Sequence, residues 1–259
     1  MLTLHSVSRH FDGLKVLQDL DLQVPRGSIF GLIGPNGAGK TTVFNLITGL
    51  LAPSSDTIHF NGQPLSARAP YQITQAGIAR TFQNIRIFKE MTLLENVVLG
   101  CHRHLKYGNV SMLLSLPGFR AEEQRARERA MELLTWVKLE HKADLIADNL
   151  SYGEQRKLEI ARALATEPQL LLLDEPVAGM NDSEKSELMR EITNIHARGY
   201  TVLMIEHDMR FVMGLCEQIA VLNFGRIIAQ GSPSEIRENP QVIEAYLGRD
   251  DDEVPQELT

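Results

Sequence analysis

Alternating apolar and polar residues predict short β-strands near the start of the chain. Strand-like segments run through 2–11, 15–24, 28–34 and 57–65. A period of two places one face of a strand against a core and leaves the other face in water. Pro25-Arg26-Gly27 separates the second and third segments, and Asn61-Gly62 is a further turn signal within the fourth. We therefore expect a β-rich beginning, in which the third strand leads through a Gly-rich loop into a helix.

The pattern changes to a helical period between about Gln83 and Ala165. In residues 121–139, apolar Ala130, Leu133 and Val137 lie three and four positions apart, with charged residues on the opposite face. This indicates a helical insertion. Strand-like runs then return on either side of a helix near residues 183–198, at 169–176, 201–207 and 218–231. Strands that alternate with helices predict an α/β fold with a mostly parallel sheet.

Composition narrows the class of protein. Of 259 residues, 43% are hydrophobic and 23% are charged, which is ordinary for a globular protein in water. A net charge of -7 argues against a general nucleic-acid binder, so we expect no nucleic-acid partner. No apolar run approaches the ~20 residues needed to cross a bilayer, so we expect any membrane association to go through another protein. Cys101 and Cys216 are expected to be small buried thiols in a reducing compartment.

The segment "GPNGAGKTT" has the spacing G-x-x-x-x-G-K-[ST] of a phosphate-binding loop. Glycines let the backbone wrap closely, so that its N–H groups point at phosphate oxygens beside a helix N-terminus. Lys40 would reach the β- and γ-phosphates, and the Thr41 hydroxyl would bind Mg²⁺. The alternative is a Gly-rich turn with an incidental lysine, which the flanking strand and helix disfavour. The predicted nucleotide-binding residues are Gly34, Pro35, Asn36, Gly37, Ala38, Gly39, Lys40, Thr41 and Thr42.

Two carboxylates end the apolar run "LLLLDEP". Ligands of open α/β sheets bind beyond the carboxyl ends of the strands, so these side chains are expected beside the phosphate loop. Asp174 would hold Mg²⁺ through bound water. Glu175 would polarise the attacking water. Either carboxylate alone could be a surface residue at a strand end, but the phosphate loop favours a catalytic pair.

The segment "LSYGEQRKLEIARAL" resembles the signature of ABC ATPases, the nucleotide-hydrolysing subunits of ABC transporters. Other family segments occur in the expected order. Gln83 in "ARTFQN" resembles the glutamine loop, "VAGMND" the D-loop, and His207 in "MIEHD" the switch histidine. Phe11 matches the aromatic residue that stacks on adenine, although it could equally be a core residue. The resemblance covers nearly the whole chain.

The resemblance implies a particular use of the signature segment. In this family two subunits lie head to tail, and each signature loop covers the ATP held by the other subunit's phosphate loop. Ser151 and the Gly153 N–H would then donate to the γ-phosphate, within a signature set of Ser151, Tyr152, Gly153, Glu154 and Gln155. His207 would contact the γ-phosphate and hold Glu175 and the water in line, and Gln83 would contact Mg²⁺ or that water.

The family also implies the division of the chain. We expect a nucleotide-binding core at 1–83 and 166–236 with an antiparallel β subdomain at its N-terminus. We also expect a helical signature subdomain at 84–165 and a C-terminal extension at 237–259 that ends in an acidic tail. This is the P-loop NTPase (RecA-like) architecture.

Four positions depart from the family pattern. In the signature segment, Tyr152 stands where glycine is usual and Glu154 precedes Gln155. The D-loop has Ala178 and Asn181 in place of serine and aspartate. Because Ser151, Gly153, Asp174, Glu175 and His207 are retained, hydrolysis is still expected. The departures bear on communication between the two sites.

Several segments are similar in sequence to the branched-chain amino-acid importer ATPases of bacteria, including "GIARTFQNIRIFKEMTLLENVVLG" and "NPQVIEAYLG". That implies ATP and Mg²⁺ as cofactors and a location on the cytoplasmic face of the inner membrane. The implied partners are a second ATPase (the same chain or a related one), two permease subunits and, indirectly, a periplasmic binding protein. ATPases for urea uptake or lipopolysaccharide export, and a non-transport ABC protein, remain as alternatives. Apolar residues after the glutamine loop would either receive a permease helix or pack internally: Ile85, Ile87, Phe88, Met91 and Leu93.

Overall fold

An antiparallel sheet is built from the N-terminal part of the chain. The computed structural model describes residues 1–11, 13–66, 68–102 and 117–247. The sheet has the strand order β2-β1-β4-β5, and every pairing within it is antiparallel. Its strands are β1 (Leu2–Phe11), β2 (Leu14–Val24), β4 (Ser55–Phe60) and β5 (Gln63–Pro64).

A second sheet has six strands and is the mostly parallel sheet predicted from the sequence. Its order is β10-β9-β3-β8-β7-β6, and all neighbours are parallel except β10 and β9. The strands are β3 (Ile29–Ile33), β6 (Ile78–Arg80), β7 (Leu170–Asp174), β8 (Thr201–Ile205), β9 (Gln218–Asn223) and β10 (Arg226–Gly231). The predicted α/β class with a mostly parallel sheet is confirmed.

Nine α-helices occur in the described ranges. They are α1 (Lys40–Ile47), α2 (Pro70–Ala76), α3 (Leu93–Cys101), α4 (Pro117–Trp136), α5 (Tyr152–Leu164), α6 (Asp182–His196), α7 (Met209–Leu215), α8 (Pro233–Glu238) and α9 (Pro240–Leu247). In the same ranges, no helix has the length and hydropathy needed to span a membrane.

The structure differs from the sequence-based elements in four places. The run 57–65 is two antiparallel strands, β4 and β5, because Asn61 and Gly62 both adopt positive φ and reverse the chain. The run 218–231 is two antiparallel strands, because Phe224 and Gly225 both adopt positive φ and reverse the chain. The segment around α2 and β6 had no predicted element, since seven- and three-residue elements show little periodicity. Helices α7, α8 and α9 were also not predicted. The acidic tail lies outside the described residues, as does the rest of 248–259.

Two apolar cores lie on opposite faces of the six-stranded sheet. One fills the space between the sheets and surrounds α1, with fully buried Phe30 and Phe44. The other joins the sheet to α3, α4, α5 and α6 in one continuous cluster. Cys101 and Cys216 are buried free thiols, as expected. Burial raises the pKa of Cys101 to about 11 and that of Cys216 to about 12.

Candidate functional site

The phosphate loop leaves the fully buried strand β3 and enters α1. Gly34 has φ +149°, and an added Cβ there would lie 1.9 Å from the Leu222 carbonyl oxygen. Gly39 has φ +108°, where a Cβ would lie 2.8 Å from the Leu17 side chain. An added Cβ at Gly37 would meet no atom within 4 Å. The packed glycines hold the loop against β9 and β2, while the middle of the loop stays open for a ligand.

Lys40 lies across this loop. Its Nζ donates to the carbonyl oxygens of Gly34 (2.7 Å) and Pro35 (2.8 Å). Burial lowers the pKa of the Lys40 ammonium, and the charge of Glu175 acts in the opposite sense. Thr41 is exposed in the first turn of α1. The cation and the hydroxyl predicted for phosphate and metal therefore lie together at the start of one helix.

Strand β7 places Asp174 and Glu175 at the edge of the sheet. Its five residues are buried, and the Glu175 N–H donates to the Ile205 carbonyl at 2.9 Å. Glu175 has φ 47°, a left-handed conformation that is uncommon outside glycine and turns the chain sharply at the strand end. The turn separates the directions of two adjacent carboxylates, so the two can serve different ligands.

The Glu175 carboxylate is held on both sides. The Gln83 amide donates from Nε2 to Oε2 at 2.8 Å, and His207 Nε2 lies 2.9 Å from Oε1. The three side chains arrive from three separate segments: the ends of β6, β7 and β8. The structure thus brings together the three residues predicted to be catalytic.

Asp174 has a partner that the sequence did not indicate. Arg80, at the end of β6, donates to Asp174 Oδ2 at 2.6 Å, and both side chains are 6% exposed. The same guanidinium donates to Asn45 Oδ1 at 2.8 Å and to Thr48 Oγ1 at 3.3 Å. In the described part of the chain, Asp174 Oδ1 accepts no hydrogen bond. An arginine 94 positions away cannot be paired with an aspartate from spacing alone.

Glu206 is a second residue that sequence reasoning missed. Its Oε1 accepts from the N–H groups of His207 (2.8 Å) and Asp208 (3.3 Å), and Oε2 accepts from Val177 N–H at 3.2 Å. The residue is 4% exposed, and burial raises the pKa of its carboxyl group. Glu206 therefore ties the segment after Glu175 to the switch histidine. Its place beside His207 was the available sequence signal.

The signature residues lie at the beginning of α5. Ser151 caps this helix: its Oγ accepts from Glu154 N–H at 3.4 Å and donates to Glu154 Oε2 at 3.2 Å. Gly153 is buried, and an added Cβ would lie 3.0 Å from a Glu184 carboxylate oxygen. Tyr152 is 44% exposed and packs beside Gly179, while Gln155 donates to the Leu150 carbonyl at 3.2 Å.

A groove of about 370 Å³ opens beside the signature residues. Ser151, Gly153, Glu154, Lys138 and His141 line it, together with residues of α5 and α6. None of its lining residues belongs to the phosphate loop of the same chain. The structure therefore does not bring the signature residues to the chain's own phosphate loop.

Helix α5 is nevertheless tied to the chain's own glutamine loop. Arg156, which is fully buried, donates to the carbonyl oxygens of Phe82 (2.5 Å) and Gln83 (2.8 Å). Glu159 pairs with Arg156 at 2.8 Å and accepts from the N–H groups of Phe82 (3.3 Å) and Arg86 (3.1 Å). Four hydrogen bonds thus fix the backbone on both sides of Gln83 to the signature helix.

Phe11 is 37% exposed at the end of β1, and the guanidinium of Arg9 lies 4.6 Å from its ring centroid. An exposed ring can stack on a base, whereas a fully buried core residue could not. Of the apolar residues after the glutamine loop, Leu93 is fully buried and Phe88 is half exposed. Phe88 lines a second groove, of about 420 Å³, with Leu99, Gly100 and Arg162; we call it the α3–α5 groove.

The donor set can accommodate Mg²⁺. Thr41, Gln83 and Asp174 offer a hydroxyl, an amide and a carboxylate oxygen, which are the hard ligands this ion prefers. A free oxygen on Asp174 and an exposed Thr41 hydroxyl meet that requirement. A glycine-packed phosphate loop, a lysine and a carboxylate pair on a parallel sheet define a P-loop nucleotide-hydrolysing protein.

Comparison with known proteins specifies the family. The model of the family described as "ABC transporter" matches residues 17–178, and that of "Branched-chain amino acid ATP-binding cassette transporter" matches 226–252. LivG of Escherichia coli K12, a high-affinity branched-chain amino acid transport ATP-binding protein, is 45% identical over 96% of this chain and 98% of its own. The chain belongs to the ABC transporter family and is an ATP-binding, ATP-hydrolysing cassette of that family.

A second relative and a solved structure are also similar to this chain. The lipopolysaccharide export ATP-binding protein LptB of Haemophilus influenzae is 35% identical over 96% of this chain and 97% of its own. The solved ADP conformation of MJ1267, an ATP-binding cassette of an ABC transporter, superimposes with a TM-score of 0.83. It is 32% identical, covering 96% of this chain and 99% of that chain.

Proposed function

We propose that this chain is the ATPase subunit of an importer for branched-chain or related amino acids. The 45% identity to LivG and the matching C-terminal segment 226–252 support that substrate class. Lipopolysaccharide export is the alternative, and it is disfavoured because identity to LptB is 35%.

The observation that carries the ATPase mechanism is the position of the Glu175 carboxylate between Gln83 and His207. Glu175 accepts a proton from the attacking water, because its two oxygens are already aligned by a fixed amide and an imidazole. His207 and Gln83 keep that carboxylate and water in line. Lys40 leaves the loop carbonyls to bind the β- and γ-phosphates.

The chain's oxygen donors would hold a magnesium ion at this site. Thr41 contributes its hydroxyl, Gln83 its amide oxygen and Asp174 the oxygen that Arg80 leaves unused. When bound, the ion neutralises negative charge on the phosphates. Phe11 stacks on the adenine base, and the loop N–H groups bind the phosphates.

The signature loop acts on a partner. Its groove contains no residue of the chain's own phosphate loop, which supports contact with the nucleotide of a second subunit. Ser151 and the N–H groups at the start of α5 then donate to the γ-phosphate, aided by the helix dipole. For this contact Ser151 has to exchange its bond to Glu154, whose other oxygen is held by Lys142 at 2.5 Å.

Closing such a pair requires a definite free energy. Shifting an equilibrium from 1:99 to 99:1 takes ~5.5 kcal/mol of differential affinity. Charge-assisted hydrogen bonds, each roughly twice as strong as a neutral one, can supply that at two γ-phosphates. Hydrolysis removes the group that they bind, so the pair reopens.

The α3–α5 groove is the proposed contact for a permease subunit. Phe88 and Leu99 supply apolar surface, and Arg162 and Glu159 supply charge. An amphipathic helix fits a groove of this composition. Residues 84–165 would then form the helical subdomain that connects the permease to the nucleotide-binding core at 1–83 and 166–236. The chain would work at the cytoplasmic face of the inner membrane. Two permeases, a second ATPase (this chain or a relative) and a periplasmic binding protein complete the importer.

Glu175→Gln tests the hydrolytic assignment. The amide keeps the size of the side chain but cannot accept a proton, so we expect ATP binding with turnover reduced at least ~100-fold, the lower range of a lost general base. Closed pairs should accumulate on a sizing column run with Mg-ATP. A matched control, Glu175→Gln with Lys40→Ala, should bind no nucleotide and remain monomeric. Normal turnover by Glu175→Gln would refute the role of Glu175.

A further inference from the structure

We propose that Arg80 is the positioning residue for Asp174, and that it sets the affinity of the site for Mg²⁺. The inference rests on the proposed role of Asp174 as a metal ligand through bound water. It is carried by one buried side chain that contacts all three elements from which that ligand set would come.

Arg80 holds one of the two carboxylate oxygens of Asp174. One guanidinium nitrogen donates to Oδ2 at 2.6 Å, and the Asp174 side chain is 6% exposed, so little water competes for it. Oδ1 accepts no hydrogen bond within the described residues. The planar fork of arginine binds Oδ2 through one nitrogen and α1 through the other, a geometry that the point charge of a lysine cannot reproduce. Arg80 therefore leaves Oδ1 as the oxygen of Asp174 that is available to a metal-bound water.

The guanidinium is itself fixed from other elements. Its second terminal nitrogen donates to Asn45 in α1 and to Thr48 beyond it, at 2.8 and 3.3 Å. Its carbon lies 5.3 Å from the ring centroid of Phe44 in α1 and 5.0 Å from that of Phe82. A cation between two aromatic faces, with only 6% of its side chain exposed, has little freedom to move.

These contacts unite the metal site. Helix α1 begins with Lys40 and Thr41, the strand that holds Arg80 leads to Gln83, and Asp174 ends β7. Arg80 also lines the α3–α5 groove, so one side chain reaches from that surface to the aspartate. A partner that moves β6 would move the Asp174 carboxylate directly.

Removing Arg80 has two opposing effects on metal binding. Its positive charge repels a cation, so its loss alone would tighten Mg²⁺ binding. Its loss also leaves a buried carboxylate unpaired and free to turn away. We expect orientation to dominate, because groups that hold metal ligands in place typically account for 10–100-fold in metal affinity.

The experiment measures metal binding apart from turnover. Full-length chain loaded with ATP is titrated with Mn²⁺, and free Mn²⁺ is read by electron paramagnetic resonance. Arg80→Met should weaken Mn²⁺ binding 10–100-fold, while ATP affinity in EDTA stays within threefold. Arg80→Lys, which retains the charge without the planar fork, should fall between Arg80→Met and the wild type. Arg86→Met is the matched control: Arg86 stacks on Phe82 at 4.1 Å but makes no contact with Asp174.

Asp174→Asn separates the two levels of the proposal. If Asp174→Asn leaves Mn²⁺ affinity unchanged, the metal assignment itself is wrong. If Asp174→Asn weakens binding while both Arg80 variants bind Mn²⁺ as the wild type does, or more tightly, the inference about Arg80 is overturned. The double variant Arg80→Met/Asp174→Asn should be no weaker than Asp174→Asn alone, because Arg80 acts through that carboxylate. Additive losses would indicate a general structural defect instead.

Discussion

At the scale of single residues, the site depends on side chains that are held by partners from other segments of the chain. Glu175 is aligned by Gln83 and His207, and Asp174 is held by Arg80. Glu206 holds the backbone in place, since its carboxylate accepts hydrogen bonds from the N–H groups of Val177 and His207. The chemistry at Glu175 therefore relies on groups that hold the catalytic side chains in place as well as on those side chains themselves.

Glu206→Gln gives a pH-dependent prediction. Burial raises the folded-state pKa of Glu206 above its ordinary value of 4.5, so the native state binds its proton more tightly than the unfolded state. Stability from this group is complete below about pH 4.5 and is lost as pH rises through the raised folded pKa. The stability advantage of the wild type over Glu206→Gln, measured as the difference between urea midpoints, should therefore shrink as pH rises above the ordinary pKa of 4.5. A difference that does not change with pH would contradict the assignment.

The sequence predicted the residues of the site but not what holds them. The phosphate loop, Asp174-Glu175 and His207 each sit in a short local pattern at a strand end, so spacing alone locates them. Arg80 and Arg156 act through partners more than seventy positions away, one of them through backbone carbonyls. Such contacts arise only when β6, β7 and α5 are packed together, and no local pattern encodes them.

At the scale of elements, the close approach of α3 and α5 forms the base of the α3–α5 groove. An added Cβ at Gly100 would lie 2.6 Å from the Arg162 carbonyl oxygen and 2.7 Å from Ala165 Cβ. Neither neighbour is a flexible chain end, so a larger residue has to push the helices apart. The same approach places Arg162 beside Phe88, with its guanidinium 5.4 Å from the ring centroid.

Gly100→Ala should therefore destabilise the protein by about 1–3 kcal/mol, the usual cost of overpacking. The control is Gly214→Ala in α7, where the nearest atom to the new Cβ is the flexible end of Met189 at 3.2 Å. That change should be neutral or slightly stabilising, because alanine favours helices. Thermal unfolding of both variants gives the comparison, and equal midpoints would argue against tight packing at Gly100.

Element prediction succeeded where an apolar run or a repeated apolar spacing marked the element. Strands β1, β2, β3, β7 and β8 and helices α4 and α6 each show a clear apolar pattern, and all are present. Short β6 and α2 were missed, although Pro70 at a helix start and Gly77 at its end are recognisable signals. The hairpin β9–β10 was predicted as one run, because Phe224 is an unusual residue for a left-handed turn.

At the scale of the whole molecule, the proposal requires two chains for each completed site. A chain carrying Lys40→Ala and another carrying Ser151→Ala should both be nearly inactive alone. When mixed, a hetero-pair joins the intact Lys40 of one chain to the intact Ser151 of the other, so one working site reappears. Activity should rise toward a quarter of the wild-type rate, since about half of the pairs are mixed and each has one site of two, at random pairing between equal amounts of chain.

The control mixes wild-type chain with a chain that carries both changes. Such a mixed pair contains no site with both an intact lysine and an intact serine, so that mixture should gain nothing beyond its wild-type pairs. Absence of recovery in the first mixture, with pair formation verified on a sizing column, would argue against sites shared between copies of this chain.

The way in which Arg156 binds the glutamine loop allows the rest of that loop to vary among related transporters. The arginine binds main-chain oxygens of Phe82 and Gln83, which every amino acid possesses. Side chains farther along that loop can therefore be exchanged during evolution to suit a new permease without loosening the connection to the nucleotide. The same ATPase fold can in this way serve many different permeases while its nucleotide site stays unchanged.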